Sequence, residues 1–239
     1  MISGLLLLNK PKGITSHKLV QKVRFCLQQK SVGHCGTLDP MAEGLMLVVL
    51  GSACKLSSSL TSSDKMYEFT FQLGQVTDTL DITGNVIKTM KVEVHPSTIE
   101  KVLKKSLGLL ELAVPSYSAV KYQGKKLYEY ARSGKKVPVI KKPMHFYDLK
   151  ILNIYKTEVT VQLSCKKGGY IRAWTAQVGE ELGVGACLSR LNRLACLPFY
   201  LDQSLTLKDF EIKCQEDIER AIDFAQDEGA FIPVEQIQS

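Results

Sequence analysis

Apolar residues over the first 200 positions follow two spacings, short runs of strand length and longer stretches with helical periodicity. Gly4 to Asn9 reads as a buried strand and Lys10-Pro11-Lys12-Gly13 as a turn. Thr15 or Ser16 then caps a helix whose Leu19, Val20, Val23 and Leu27 share one face. Leu45 to Leu50 predicts a second buried strand, with a short helix through Ala53, Leu56 and Leu60 after it. Tyr67, Phe69, Phe71 and Leu73 alternate with Glu68, Thr70 and Gln72, as a strand buried on one face requires. Ser97-Thr98-Ile99-Glu100 is a capping-box sequence, opening a helix through Ile99, Val102, Leu103 and Leu107 that Gly108 can end. A short helix from Lys125 to Arg132 is expected inside a polar excursion from the sheet. Val159, Val161, Leu163 and Cys165 alternate again. A Lys-Gly-Gly turn leads from there into Tyr170-Ile171-Arg172, where a period of two puts Tyr170 and Arg172 on the same face. The whole predicts a mixed α/β fold, one domain over 1–239 closing in an acidic helical tail at about 201–239.

Composition narrows the class. A chain of 239 residues can bury about 70% of its unfolded surface, so it folds without disulfide or metal staples. Its longest aliphatic run, Leu45 to Leu50, falls far short of the roughly 20 residues of a membrane helix. No basic residue precedes Leu5 to Leu8, so no signal peptide is read there, and a soluble cytoplasmic protein is expected. The seven cysteines include no C-x-x-C pair, and His34 beside Cys35 is the one close Cys/His pair, so reduced thiols and no metal are expected. Charge is unevenly placed within a net of +7. Residues 201–239 hold three Lys/Arg against ten Asp/Glu, whereas residues 121–150 hold nine Lys/Arg against Glu129 and Asp148. A basic body with one concentrated patch suits a polyanionic partner, nucleic acid first.

The segment Ser31 to Gly44 joins a helix to a buried strand with glycines, one histidine and two carboxylates. Asp39 before Pro40 reads either as a turn or cap, or as a carboxylate presented by an active-site loop whose glycines admit a ligand. Further residues decide the matter. GHCGTLDPMAEGLMLVVLG (33–51) resembles the catalytic motif of the TruB-type tRNA pseudouridine synthases. GLLLLNKPKGITS (4–16), SDKMYEFTFQLG (63–74), DTLDITG (78–84), PSYSAVKYQGKKLYEYARSG (115–134) and CKKGGYIRAW (165–174) resemble further motifs of that family, in its order.

The resemblance implies a pseudouridine synthase fold, a central mixed and largely antiparallel sheet flanked by helices, with a basic RNA-gripping insertion at about 111–143. It implies isomerisation of uridine to pseudouridine at position 55 in the TΨC loop of tRNA, without cofactor or metal. Asp39 matches the catalytic aspartate, Tyr67 the tyrosine that packs on the target base, and Arg172 the arginine that pairs with the aspartate. His34, Tyr170, Leu191 and Lys10 are expected to contact substrate, and Lys121, Lys125, Lys126 and Arg132 to meet the T arm. The carboxylate could attack the sugar or the base, or help generate a glycal. Asn192 stands where members often carry a second arginine. The sequence stops near the point where many members begin a C-terminal PUA-type RNA-binding domain, so this reading expects none. It expects a monomer that needs no protein partner. Two competing readings are an RNA-binding module without catalysis and a glycosidase using Asp39 with Glu43, the latter poorly matched to so basic a chain.

Overall fold

The structure, a computed structural model, describes residues 1–135 and 137–237; Lys136, Gln238 and Ser239 lie outside the described residues. The chain forms two compact units, residues 1–67 with 191–239, and residues 68–190.

The first unit begins with β1 (Gly4–Lys10), whose Leu5, Leu6, Leu7 and Leu8 are all fully buried. A strand covered on both faces needs an unbroken apolar run rather than alternation, and that is what the sequence supplies. Thr15 caps α1 (Ser16–Cys26), its hydroxyl accepting from the Lys18 amide at 3.0 Å, and Leu19, Val20 and Val23 turn inward. Next come β2 (Val32–His34) and β3 (Glu43–Leu50). The short helix expected after β3 is a 3₁₀ segment, Gly51–Leu56, continued by the brief α2 (Ser57–Thr61). β4 (Lys65–Leu73) carries the chain into the second unit, with Tyr67, Phe69, Phe71 and Leu73 buried as the alternation predicts.

In the second unit β5 (Gln75–Thr77) and β6 (Val86–Thr89) form a hairpin. α3 (Pro96–Lys105) starts earlier than the capping-box reading places it. His95 is the cap, its ring nitrogen accepting from the Ser97 amide at 3.3 Å. Pro96 takes the first helical position, where a missing N–H costs nothing, so Ser97 lies inside the helix. The helix closes at Ser106, and Gly108, at a φ of +87°, opens β7 (Gly108–Ala113) instead of ending α3. The basic excursion contains a small hairpin, β8 (Lys121–Tyr122) with β9 (Lys125–Lys126), and only then α4 (Leu127–Arg132). β10 (Lys141–Tyr155) pairs antiparallel with β7 on one edge and with β11 (Glu158–Cys165) on the other. Val159, Val161, Leu163 and Cys165 are buried as predicted.

The reading of 170–172 as period-two backbone is overturned. Ile171–Glu181 is a helix, α5, with Tyr170 as its N-cap residue and Arg172 in its first turn. Ile171, Trp174, Thr175 and Val178 recur at helical spacing and are buried, and Trp174 is the reason the helix packs. Its indole meets Phe69, Phe71 and Phe146 at centroid distances of 5.6, 6.2 and 6.3 Å, and its N–H donates to the Ser106 carbonyl at 2.7 Å.

β12 (Ala186–Cys196) returns the chain to the first unit, followed by β13 (Phe199–Tyr200), a 3₁₀ turn at Leu201–Gln203, β14 (Leu205–Thr206), α6 (Leu207–Glu216), α7 (Ile218–Asp227), β15 (Phe231–Pro233) and α8 (Val234–Ile237). The acidic tail is therefore more than helical, and it is no appendage. β14 runs parallel to β1 at Leu8↔Leu205 and β15 antiparallel to it at Leu6↔Phe231, while Phe210, Ala221 and Ala225 are fully buried. β1 pairs along its other edge with β3, from Gly4↔Leu50 to Lys10↔Gly44. The far edge of β3 takes β2 at Val48 to Leu50 and β12 at Glu43 and Gly44. Among the described residues no helix is long and apolar enough to cross a membrane.

Candidate active site

Asp39 stands in the loop between β2 and β3, and the backbone on either side of it is pinned. The buried Ser16 hydroxyl accepts from the Leu38 amide at 2.8 Å and donates to the Leu38 carbonyl at 2.9 Å. The Gly13 amide donates to the Pro40 carbonyl at 2.8 Å, and the Ala42 amide to the Asp39 carbonyl at 3.1 Å. The motif's opening turn (11–15) and the first residue of α1 thus hold the loop that carries the carboxylate. Asp39 itself is half-buried.

Arg193 braces the two ends of the same loop. It lies on β12 beside Gly44, buried to 1% exposure. Its Nε donates to the Leu45 carbonyl at 2.7 Å and one terminal nitrogen to the Gly36 carbonyl at 3.3 Å. Gly44 has to be glycine: its φ is +107°, and a Cβ there would stand 2.5 Å from the Arg193 backbone.

Lys10, expected at the substrate, is fully buried, and its ammonium donates to the carbonyls of Pro11 at 3.0 Å and Ile14 at 2.8 Å. Burial brings it down to about 8, helped by the charge of Arg193 and opposed by the carboxylates of Asp39 and Glu43. Its charge is thus coupled to the carboxylates of Asp39 and Glu43. His34 is held below its ordinary value by burial first and then by Arg193 and His17, which favours a neutral ring at physiological pH. Tyr67 and Leu191 are both buried, at the end of this unit's share of β4 and the start of its share of β12.

The second unit holds the remaining matched residues. Arg172 is 4% exposed and donates to the carbonyls of Thr79 and Tyr117, each at 2.9 Å; its Nε lies 3.9 Å from a carboxylate oxygen of Asp81. Asp81 is fixed in turn by the Thr83 amide at 3.0 Å and the Thr79 hydroxyl at 2.9 Å. Tyr170, half-buried, precedes Arg172 at the helix cap. In the excursion Lys121, Lys125 and Arg132 are exposed and Lys126 half-buried. The ammonium of Lys126 and the guanidinium of Arg132 lie 5.5 and 5.4 Å from the centroid of the Tyr128 ring. Leu127 anchors α4, buried at 2% exposure.

The sequence pattern gives no site role to Asp81, Arg193 or Ser16, the last read only as an alternative to Thr15 as the cap of α1. Arg193 had a signal, a cation interrupting the apolar pattern of a strand. Asp81 lay within a quoted motif, but its pairing with Arg172 spans 91 positions and has no local trace. Among the described residues no group of three or more His, Cys, Asp or Glu side chains could hold a metal.

The family model for the TruB family pseudouridylate synthase, N-terminal domain, matches residues 24–171, more than half of the chain. Curated relatives include tRNA pseudouridine synthase B of Bdellovibrio bacteriovorus, 42% identical over 236 residues that make up 98% of this chain and 73% of the relative. The protein of the same name from Syntrophobacter fumaroxidans is 42% identical over 208 residues, 86% of this chain and 68% of the relative. Among solved structures, a chain of a Cbf5-Nop10-Gar1 complex superposes with a TM-score of 0.76 at 27% identity, over 98% of this chain; this chain spans 60% of that one.

Proposed function

This chain belongs to the TruB family of pseudouridylate synthases, and we propose from that premise that it converts uridine to pseudouridine at position 55 in the TΨC loop of tRNA. The observation that carries the reading is the loop at Asp39, pinned through Leu38 and Pro40 and braced by Arg193, within the motif that the family shares. Pseudouridine formation breaks the bond between N1 of uracil and C1′ of the ribose, turns the base, and joins C5 to C1′. The hydrogen on C5 is lost to solvent as a proton while N1, freed from the sugar, takes one up, so there is no net oxidation. Attack at the sugar, attack at the base and passage through a glycal all begin from an ionised carboxylate, here Asp39. Lys10 supports that state, since the attraction between its ammonium and the carboxylate is mutual. Arg172 is the proposed partner of Asp39 in the reaction.

The target base lies stacked in a folded loop and has to be flipped out to be reached. Tyr67 then offers a ring for it to stack on, worth about 1–3 kcal/mol per base, with Leu191, Tyr170 and His34 as proposed neighbours. Lys121, Lys125, Lys126 and Arg132 would contact phosphates of the T arm. Charge placement and the family together support this assignment.

Tritium release from tRNA labelled at C5 of uridine tests the reading. Release should be catalytic with the wild-type chain and cease when uridine 55 is replaced by cytidine. Asp39→Asn should lower it by several orders of magnitude with little change in tRNA affinity, which rests on phosphate contacts. Tight binding without release by the wild type would make the chain an RNA-binding module instead.

A further inference from the structure

Two cysteines that play no part in the proposed reaction stand together in the first unit. Cys26 is the last residue of α1, and Cys214 lies in the last turn of α6, a helix that packs on α1. An ion pair one turn earlier sets the register between the helices, with Lys22 Nζ 2.6 Å from Glu211 Oε1. Moving four residues on from Lys22 and three on from Glu211 stays on the same helix faces, and this brings the two thiols side by side. Both are partly exposed, and both line one cavity of about 690 Å³ whose rim includes Arg24, Lys30 and the exposed Phe25.

The geometry points to a reactive dithiol, and we propose that Cys26 and Cys214 form a modification site for low-molecular-weight disulfides, with Cys26 the attacking sulfur and Cys214 the resolving one. Each thiol is the first influence on the acidity of the other. Cys214 holds Cys26 below its ordinary value, against burial and the charge of Glu211. Cys26, together with burial, pushes Cys214 up. The shifts run in opposite directions, toward the thiolate at Cys26 and toward the thiol at Cys214, which suits attack by the first sulfur and resolution by the second. The cavity's one carboxylate, Glu211, is paired with Lys22, so room in the cavity and the cations Arg24 and Lys30 suit an anionic peptide disulfide such as oxidised glutathione.

The chemistry balances without any further reactant. The Cys26 thiolate attacks one sulfur of the small disulfide, whose S–S bond breaks, and the first small thiolate departs and takes up a proton. Cys214 then gives up its proton to solvent and attacks the Cys26 sulfur, expelling the second small thiolate, which is protonated in turn. Two protein thiols are oxidised to one disulfide, and the small disulfide is reduced to two thiols. A bond of roughly 2 Å between the sulfurs would join α1 to the C-terminal helical segment.

Peptide mapping of the full chain after incubation with oxidised glutathione tests this, independently of whether the chain modifies tRNA. The mass should fall by two hydrogens, and the map should show Cys26 joined to Cys214, with the other five cysteines still open to alkylation after denaturation. Cys214→Ser should trap glutathione on Cys26 as a stable mixed disulfide, and Cys26→Ser should react no faster than a buried thiol. Both variants remove a thiol without charge or bulk, and circular dichroism confirms that they are folded. The proposal is overturned if the wild-type chain keeps both thiols, if a different pair joins, or if glutathione is trapped on Cys214 in Cys26→Ser as readily as on Cys26 in Cys214→Ser.

Discussion

Asp39 is placed by its neighbours' backbones, and the Ser16 hydroxyl carries two of those bonds while 2% exposed. Ser16→Ala leaves the Leu38 amide and carbonyl without that partner in a buried setting, at about 1–3 kcal/mol for each orphaned group. Expected are a loss of about 2 kcal/mol or more in urea unfolding and roughly a tenfold fall in single-turnover tritium release, with tRNA affinity retained, because catalysis suffers from small misplacements of the reacting group. Unchanged turnover would show that the loop is positioned by other means. Lys10 gives a second test, on pH. Its ordinary value is 10.5 and its folded value about 8, so below pH 8 the fold carries a buried ammonium that the unfolded chain would solvate. Between about 8 and 10.5 the unfolded chain binds the extra proton, and Lys10's contribution to stability rises with pH across that window. Lys10→Met should remove the rise, so the gap in melting temperature between wild type and variant should move in favour of the wild type from pH 8 to pH 10. Turnover is expected to run the other way, falling above pH 8 in the wild type as the charge beside Asp39 is lost. A parallel pair of melting curves would contradict this. Asp39 could be picked out in the sequence because its neighbours spell a motif. The burial of Lys10 could not, because a lysine that ends an apolar run ordinarily marks the chain leaving the core.

At the scale of elements, unbroken apolar runs found β1 and β3, buried on both faces, and periodicity found α1, β4 and β11. It failed where one spacing admits two readings. Tyr170-Ile171-Arg172 is too short to separate a period of two from the first turn of a helix, and the deciding residues, Trp174 and Val178, come later in the chain. It failed again in the tail, where β14 and β15 are two and three residues long and exist because β1 offers them an edge. This changes what truncation should do. By charge alone, trimming the last dozen residues would leave RNA binding unchanged or slightly tighter. Ending the chain at Ala230 instead strips β15 from Gly4–Leu6 and removes Phe231, a side chain 6% exposed. Burial of one such residue is worth about 1.5–3 kcal/mol, so the truncated protein should unfold at distinctly lower temperature and urea concentration. Phe231→Ala should show a large part of that loss with the strand retained. Equal stability of the truncated and full-length proteins would mean that β15 contributes nothing to the edge it covers.

For the molecule as a whole, charge distribution is the property most open to reading from sequence, because it needs no contact to be known. The net +7 conceals a strongly basic body and a C-terminal segment in which acids outnumber bases by seven. The structure adds how the basic excursion presents its charge. Leu127 anchors α4, and Tyr128 offers its ring to both Lys126 and Arg132, so these two cations share a platform instead of extending independently. Each phosphate that such a cation neutralises releases counterions from the RNA, and affinity should therefore fall steeply as salt rises. Replacing Lys125, Lys126 and Arg132 together with Gln should weaken tRNA binding and reduce the slope of log affinity against log salt by about one unit or slightly less per lost contact. Tyr128→Leu keeps every charge but removes the shared ring, so its affinity should fall by less and its salt slope should stay near wild type. Turnover at saturating tRNA should survive both changes better than affinity does, because the cations act on binding rather than on the isomerisation. Filter binding across a salt series, with tritium release at saturating tRNA, separates these outcomes. Wild-type affinity and slope in the triple variant would place the grip on the tRNA outside the excursion.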